Sequence, residues 1–165
     1  MTDAAAIRIA ATFNRLFGPS HRVTMVGGGA EPLYEPETPA HPARVVFTYD
    51  YPASALHEAA HWCIAGAARR RLRDYGYSYA PGPRESIARG GFFASECDVQ
   101  AVEALLAEAC DVRFVISADD FAAPQAELDD FERRVRERIE HRRVHGLPRR
   151  AERLRAALRA EFGRG

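Results

Sequence analysis

The order of apolar and polar positions along the chain predicts helices at both ends and a short stretch of strand near the front. Ile7, Ala10, Ala11, Phe13, Leu16 and Phe17 recur with helical spacing and predict a helix from about Ala4 to Phe17, stopped by Gly18-Pro19. Arg22 to Val26 reads as a brief strand ended by Gly27-Gly28-Gly29. Those glycines match neither spacing used to cradle phosphates, so they read as a mobile or tight turn. Ala30 to Pro42 holds four prolines and is expected to be irregular. Arg44 to Tyr49 (RVVFTY), rich in β-branched and aromatic residues, is the best strand candidate.

A second helix is expected to begin at Asp50 or Tyr51, with Pro52 in its first turn, and to run to about Arg73 before Gly76. Leu56, Ala60, Ile64 and Ala67 form its packing stripe; Ser54, His57, His61 and Ala65 form a more polar one beside it. Tyr75 to Gly91 has the composition of a long loop, either a cover over a cleft or a surface segment. Ser95-Glu96-Cys97-Asp98 resembles a capping box, opening a helix that turns Val99, Val102, Leu105, Leu106 and Ala109 inward. Arg113 to Ile116 reads as a short strand before a Ser117-Ala118-Asp119-Asp120 turn. Ala126 to Val144 and Arg149 to Phe162 read as polar helices touching the core through Phe131, Val135, Ile139, Leu154 and Leu158. The expected fold class is α+β: a mostly helical single domain, residues 1–165, with a small sheet.

Composition narrows the class. With 165 residues and 47% hydrophobic content the chain can bury a core of its own. No apolar run nears the roughly 20 residues that span a bilayer, and the N-terminus lacks a signal-peptide pattern, so a soluble cytoplasmic protein without membrane partners is expected. Cys63, Cys97 and Cys110 lie in no metal-ribbon or CxxC spacing and read as reduced thiols, with Cys63 and Cys110 buried. All 23 basic residues are arginine. Net charge is zero, but residues 133 to 165 carry 12 Arg against 4 acids. That tail suits an acidic partner or solvated helix faces. Without interleaved aromatic residues it does not point to direct nucleic-acid binding.

The chemistry centres on His57-Glu58-Ala59-Ala60-His61. On a helix, residues four apart share a face, so both imidazoles can reach one divalent ion without strain. A site open to water or substrate needs one more protein ligand. Glu96 is the first candidate, at or near the start of the next helix, and Glu103 is the reserve, with Gln100 on the same side. His21, His41, His141 and His145 lack ligand spacing and are expected at the surface. Two histidines and a carboxylate can hold Fe(II) for dioxygen chemistry or Zn(II) for water activation with Glu58 as general base. By spacing alone the motif favours a zinc metallopeptidase. No His-x-Asp or His-x-Glu occurs, which removes the usual ligand spacing of double-stranded β-helix oxygenases.

The residues around the motif carry more than the motif. The run Ser54 to Gly66 (SALHEAAHWCIAG), continuing through Arg69-Arg70 to Asp74-Tyr75-Gly76-Tyr77, resembles the bacterial elongation factor P hydroxylase family. Phe13-Asn14 with Phe17, Glu31-Pro32-Leu33-Tyr34, Arg44-Val45-Val46-Phe47, Glu96 to Glu103 with Gln100-Ala101, and Phe114 through Ser117 to Asp119 resemble it in the same order. The resemblance implies metal-dependent hydroxylation, with molecular oxygen, of an elongation factor P lysine already extended by β-lysylation. It implies His57, His61 and Glu96 as metal ligands, with Fe(II) the first ion to expect and Zn(II) the second. Under this reading Glu58 orients a bound water or ligand or pairs with the cationic substrate, and Tyr75, Tyr77 and Tyr79 wall the channel. Trp62 either joins that wall or packs in the core. The zinc metallopeptidase and an inactive module that binds the factor remain the alternatives. The chain departs from the family pattern at Gly76-Tyr77-Ser78-Tyr79, where Ser78 replaces an expected Trp.

Overall fold

The computed structural model describes residues 3–77, 86–117 and 123–163, with side chains in the second stretch described from Ala94 onward. Its first helix, α1 (Ala4–His21), is capped by the Asp3 carboxylate, which accepts from the Ala5 N–H at 2.8 Å. The apolar face found in the sequence is the buried one: Ala6, Ile9, Phe13 and Phe17. The helix does not stop at Gly18-Pro19 as expected. Pro19 removes only the N–H that would reach the carbonyl of exposed Arg15, which water can satisfy. Closure falls to Arg22, whose left-handed backbone (φ 47°) returns its N–H to Gly18 O at 3.1 Å.

Three strands follow, β1 (Val23–Gly29), β2 (Leu33–Glu35) and β3 (Ala43–Thr48), in the order β1-β3-β2 with β3 parallel to β1 and antiparallel to β2. Two expectations are corrected here. The triple glycine is the end of β1 rather than a turn, with a register irregularity between Val26 and Gly29 and Gly28 at φ 92°. A Cβ on Gly27 would lie 2.7 Å from the Phe47 ring and from Tyr49 O, so only glycine lets β1 pass this close to β3. The proline-rich segment also holds a strand, because Pro32 and Pro36 flank β2 at the sheet edge without costing it a pairing donor.

Helix α2 (Pro52–Ile64) starts with Pro52 in its first turn and is buried on nearly all sides, a wider burial than the expected stripe; Ala67 lies beyond it and is exposed. It ends at Ile64, not near Arg73. The Ala65 backbone leaves helical geometry (ψ 126°), and its carbonyl is taken by the guanidinium groups of Arg70 and Arg150. Residues 69–71 and 73–76 form two 3₁₀ turns. Asp74 and Tyr75 are held at positive φ (49° and 58°) by tertiary contacts. Asp74 Oδ1 accepts from Tyr34 N at 3.0 Å, and the Tyr75 ring stacks on Tyr34 at 4.2 Å.

Helix α3 (Ser86–Ala109) begins well before Ser95, so the capping box is mid-helix and the predicted loop is shorter by the residues from Ser86 to Gly91. The Ser78 to Glu85 part of that loop, Tyr79 included, lies outside the described residues, as do Ala118 to Asp120 of the expected turn. Arg113 to Ile116 is not a strand. Val112, Phe114 and Ile116 alternate with exposed neighbours, but no second strand pairs with them among the described residues. The Gln100 side chain holds the end of this segment instead, accepting from Ser117 N at 3.0 Å and donating to Ser117 O.

Helices α4 (Gln125–His145) and α5 (Arg149–Phe162) match their expected spans, separated at Gly146 (φ 89°). The main core joins Phe13, Phe17, Val45, Leu56, Trp62, Leu105, Leu106, Leu154 and Leu158, with Cys63 and Cys110 buried in it. A smaller cluster of Cys97, Ala123, Phe131 and Val135 seals α4. Helix α3 lies against α2, α4 and α5, bringing its carboxylates to the histidine face of α2. The α+β expectation holds.

Candidate metal centre

Imidazoles at i and i+4 on α2 set the spacing, and the two rings stand 4.9 Å apart, edge to face. Glu96 reaches them from the third turn of α3, with Oε1 3.1 Å from His61 Nε2 and Oε2 3.6 Å from His57 Nε2. One donor atom from each of the three lies within 4.8 Å of the others. The sequence candidate therefore comes into place, though from inside a helix and not from its start.

Glu103, two turns further along α3, takes the other side of His57. Its Oε2 is 2.7 Å from His57 Nδ1. A carboxylate there holds the hydrogen on Nδ1, so Nε2, turned toward Glu96, is the nitrogen that would meet an ion once it gives up its own proton. Glu103 thus orients the His57 ring, while Glu96 faces the point where both Nε2 atoms converge. Gln100, between them and only 2% exposed, donates to Glu96 Oε2 at 3.4 Å and anchors Ser117.

The electrostatics suit a cation. Three carboxylates, those of Glu58, Glu96 and Glu103, are buried beside two imidazoles. Burial acts to lower the His57 pKa, but the Glu103 hydrogen bond and the charges of Glu103, Glu96 and Glu58 outweigh it and push it up to about 10. Burial also acts to raise Glu96, yet the hydrogen bond from His61 and the nearby imidazoles hold it below its usual range. Burial raises Glu58, against the pull of His57 and His61. An excess of buried negative charge around two convergent nitrogen donors is the environment a divalent ion neutralises. The donor set of two imidazoles and one carboxylate fits both Fe(II) and Zn(II).

Around the centre, His61 stacks on Tyr75 (ring planes 11° apart), and Tyr75 stacks in turn on Tyr34. Sequence periodicity gave no sign that Tyr34 would stand behind a site residue. A cavity of about 310 Å³ opens beside His61 and is lined by Ile64, Arg69, Tyr75, Tyr77 and Val99 among others. Trp62 belongs to the core alternative: it is 1% exposed and packs on Phe13 and Phe17 at 5.1 and 4.7 Å. His41, His141 and His145 are exposed as expected; His21 is half-buried, its ring 5.4 Å from that of Trp62.

The elongation factor P hydroxylase family model matches residues 12–165. The elongation factor P lysine hydroxylase of Haemophilus influenzae is 39% identical over 155 residues, covering 93% of this chain and 87% of that protein. The chain belongs to the elongation factor P hydroxylase family.

Proposed function

We propose that this chain hydroxylates a lysine side chain of elongation factor P, and that His57, His61 and Glu96 hold the metal ion the reaction needs. Family membership supports the reaction and substrate. The single structural observation behind the site is the convergence of one carboxylate from α3 on two imidazoles from one turn of α2. A redox-active ion such as Fe(II), held by these three residues, would supply the dioxygen chemistry.

The chain's own residues do the remaining work. Glu103 keeps the His57 ring from turning, and Gln100 steadies the Glu96 carboxylate. Tyr75 and Tyr77 wall the cavity with aromatic surface suited to the methylenes of an extended lysine, and they limit the water that reaches His61. Glu58, buried and without a hydrogen-bond partner among the described residues, is available to pair with a cationic amine or hold a water. Molecular oxygen is the second substrate: one atom enters a C–H bond, and the other leaves as water, taking two electrons from an external donor and two protons from that donor or solvent.

Substrate in this reading is the β-lysylated form of the lysine. Mass spectrometry of elongation factor P from cells with and without this protein tests it, since a hydroxylase adds one oxygen atom to the modified residue. An unchanged mass in both would overturn the reading. Metal analysis of anaerobically purified protein tests the ion, with iron expected, and peptide cleavage with zinc bound would select the peptidase chemistry instead.

A further inference from the structure

The two histidines of the centre are steadied by different means. Glu103 takes Nδ1 of His57, whereas the His61 ring has no hydrogen-bond partner other than Glu96 among the described residues. What lies against His61 is aromatic. Tyr75 stacks on it with planes 11° apart and centroids 5.9 Å apart, and Tyr34 stacks on Tyr75 at 9° and 4.2 Å. Both tyrosines are only 2% exposed.

The chain sets Tyr75 there through an unfavourable backbone. Asp74, Tyr75 and Gly76 follow one another at positive φ (49°, 58° and 79°), and only the last is a glycine. Residues with side chains persist in that region only where their surroundings over-determine them. Here three bonds do so. The Asp74 carboxylate accepts from the Tyr34 N–H at 3.0 Å, the Tyr34 hydroxyl donates to Arg70 O at 2.6 Å, and the Arg69 guanidinium donates to Tyr75 O at 2.9 Å. Tyr34 belongs to β2, an outer strand of the sheet, so these bonds clasp the 69–76 turns to the sheet edge and hold the Tyr75 ring flat against His61.

Resting on the metal centre proposed above, the clasp acquires a role. We propose that Tyr75, held by Tyr34 and Asp74, is a positioning residue that fixes the plane of the His61 ring and so aims its Nε2 at the point shared with Glu96 and His57. A flat ring packed against an imidazole resists its tilting by shape and dispersion, without adding charge. Glu103 steadies His57 by a hydrogen bond and brings negative charge with it. One ligand is thus oriented by charge and the other by aromatic surface. Leucine at position 75 would fill much of the same space but offer no plane, while phenylalanine would keep the plane and lose only the hydroxyl.

Full-length wild-type protein, Tyr75→Leu, Tyr75→Phe and Tyr34→Leu are compared in two ways. In the metal-free proteins, the NMR signals of the His61 ring C–H groups report the stack: Tyr75→Leu is expected to move them toward the values of an unstacked histidine, and Tyr75→Phe to leave them in place. Titration with Co(II) reports the aim of Nε2. Tyr75→Leu should weaken binding by about 10–100-fold and alter the visible Co(II) bands, Tyr34→Leu should weaken it by about 3–10-fold, and Tyr75→Phe should stay within about twofold of wild type. Gly27→Ala, destabilised at the β1 to β3 approach, controls for general loss of stability and should keep the wild-type bands. Wild-type affinity and bands in Tyr75→Leu overturn the proposal. So does an equal loss in Tyr75→Phe, which would assign the effect to the hydroxyl. Should Tyr75→Leu fail to fold, Tyr34→Leu decides, and unmoved His61 signals with unchanged affinity in that variant overturn the clasp. If wild-type protein binds no Co(II) or adds no oxygen to the factor, the proposed function falls, while the ring signals of the metal-free proteins still decide whether Tyr75 holds His61.

Discussion

Glu103 Oε2 lies 2.7 Å from Nδ1 of His57, the ring nitrogen opposite the one that faces Glu96. Two carboxylates two turns apart on α3 therefore meet a single imidazole from opposite sides, one at each ring nitrogen.

That division predicts unequal losses. Glu103→Gln should keep the metal but weaken its binding by about 10–100-fold, the usual effect of removing an orienting partner. Glu96→Ala should cost far more, because a ligand atom is gone. Metal titration of the two purified variants checks this, and equal losses would place both carboxylates on the ion or neither.

Within the HExxH segment, roles should separate in the same way. His57→Ala and His61→Ala are each expected to purify without stoichiometric metal, while Glu58→Gln retains it and loses turnover by about 100-fold or more. Metal content by elemental analysis with hydroxylation by mass spectrometry distinguishes them. Full metal in His61→Ala would remove that histidine from the site.

Asp98 gives a pH-dependent prediction. Burial acts to raise its carboxyl, but the hydrogen bonds and charges of Arg142 and Arg138, at 2.9 Å each, hold it below the usual range. A depressed folded value means the stabilisation is present above the unfolded pKa of about 3.9 and is lost as pH falls through the folded value. Asp98→Asn should thus cost about 1–2 kcal/mol near neutral pH. The gap from wild type should narrow below about pH 4. Denaturant melts at pH 7 and pH 3 measure it, and a gap that widens in acid would contradict the pairing.

Two glycines should respond oppositely to alanine. At Gly27 a Cβ meets the Phe47 ring and a backbone carbonyl at 2.7 Å, so Gly27→Ala should destabilise by about 1–3 kcal/mol. At Gly66 nothing lies within 4 Å, and Gly66→Ala should stay within about 0.5 kcal/mol of wild type. Thermal melts of both check the β1 to β3 approach.

Much of the fold was legible because its signals are local. Periodicity located α1, α4, α5 and β3 to within a few residues, since one buried face of a helix or strand writes its own spacing. The i, i+4 histidines needed only helical geometry to become convergent. Where distant groups hold the backbone, local signals misled: two arginines take the Ala65 carbonyl and end α2 early, β3 recruits the triple glycine, and Gln100 ties down a segment that alternates like a strand but has no partner.

By itself the sequence determined the pair of imidazoles, the supply of carboxylates on the following helix and the family to which the chain belongs. Only the tertiary structure decided that Glu96 faces both Nε2 atoms while Glu103 grips Nδ1, that Trp62 packs away in the core, and that Arg70 and Arg150 meet at the Ala65 carbonyl. The reason is geometric: spacing along one helix fixes which side chains share a face, whereas the meeting of two helices depends on how their buried surfaces pack.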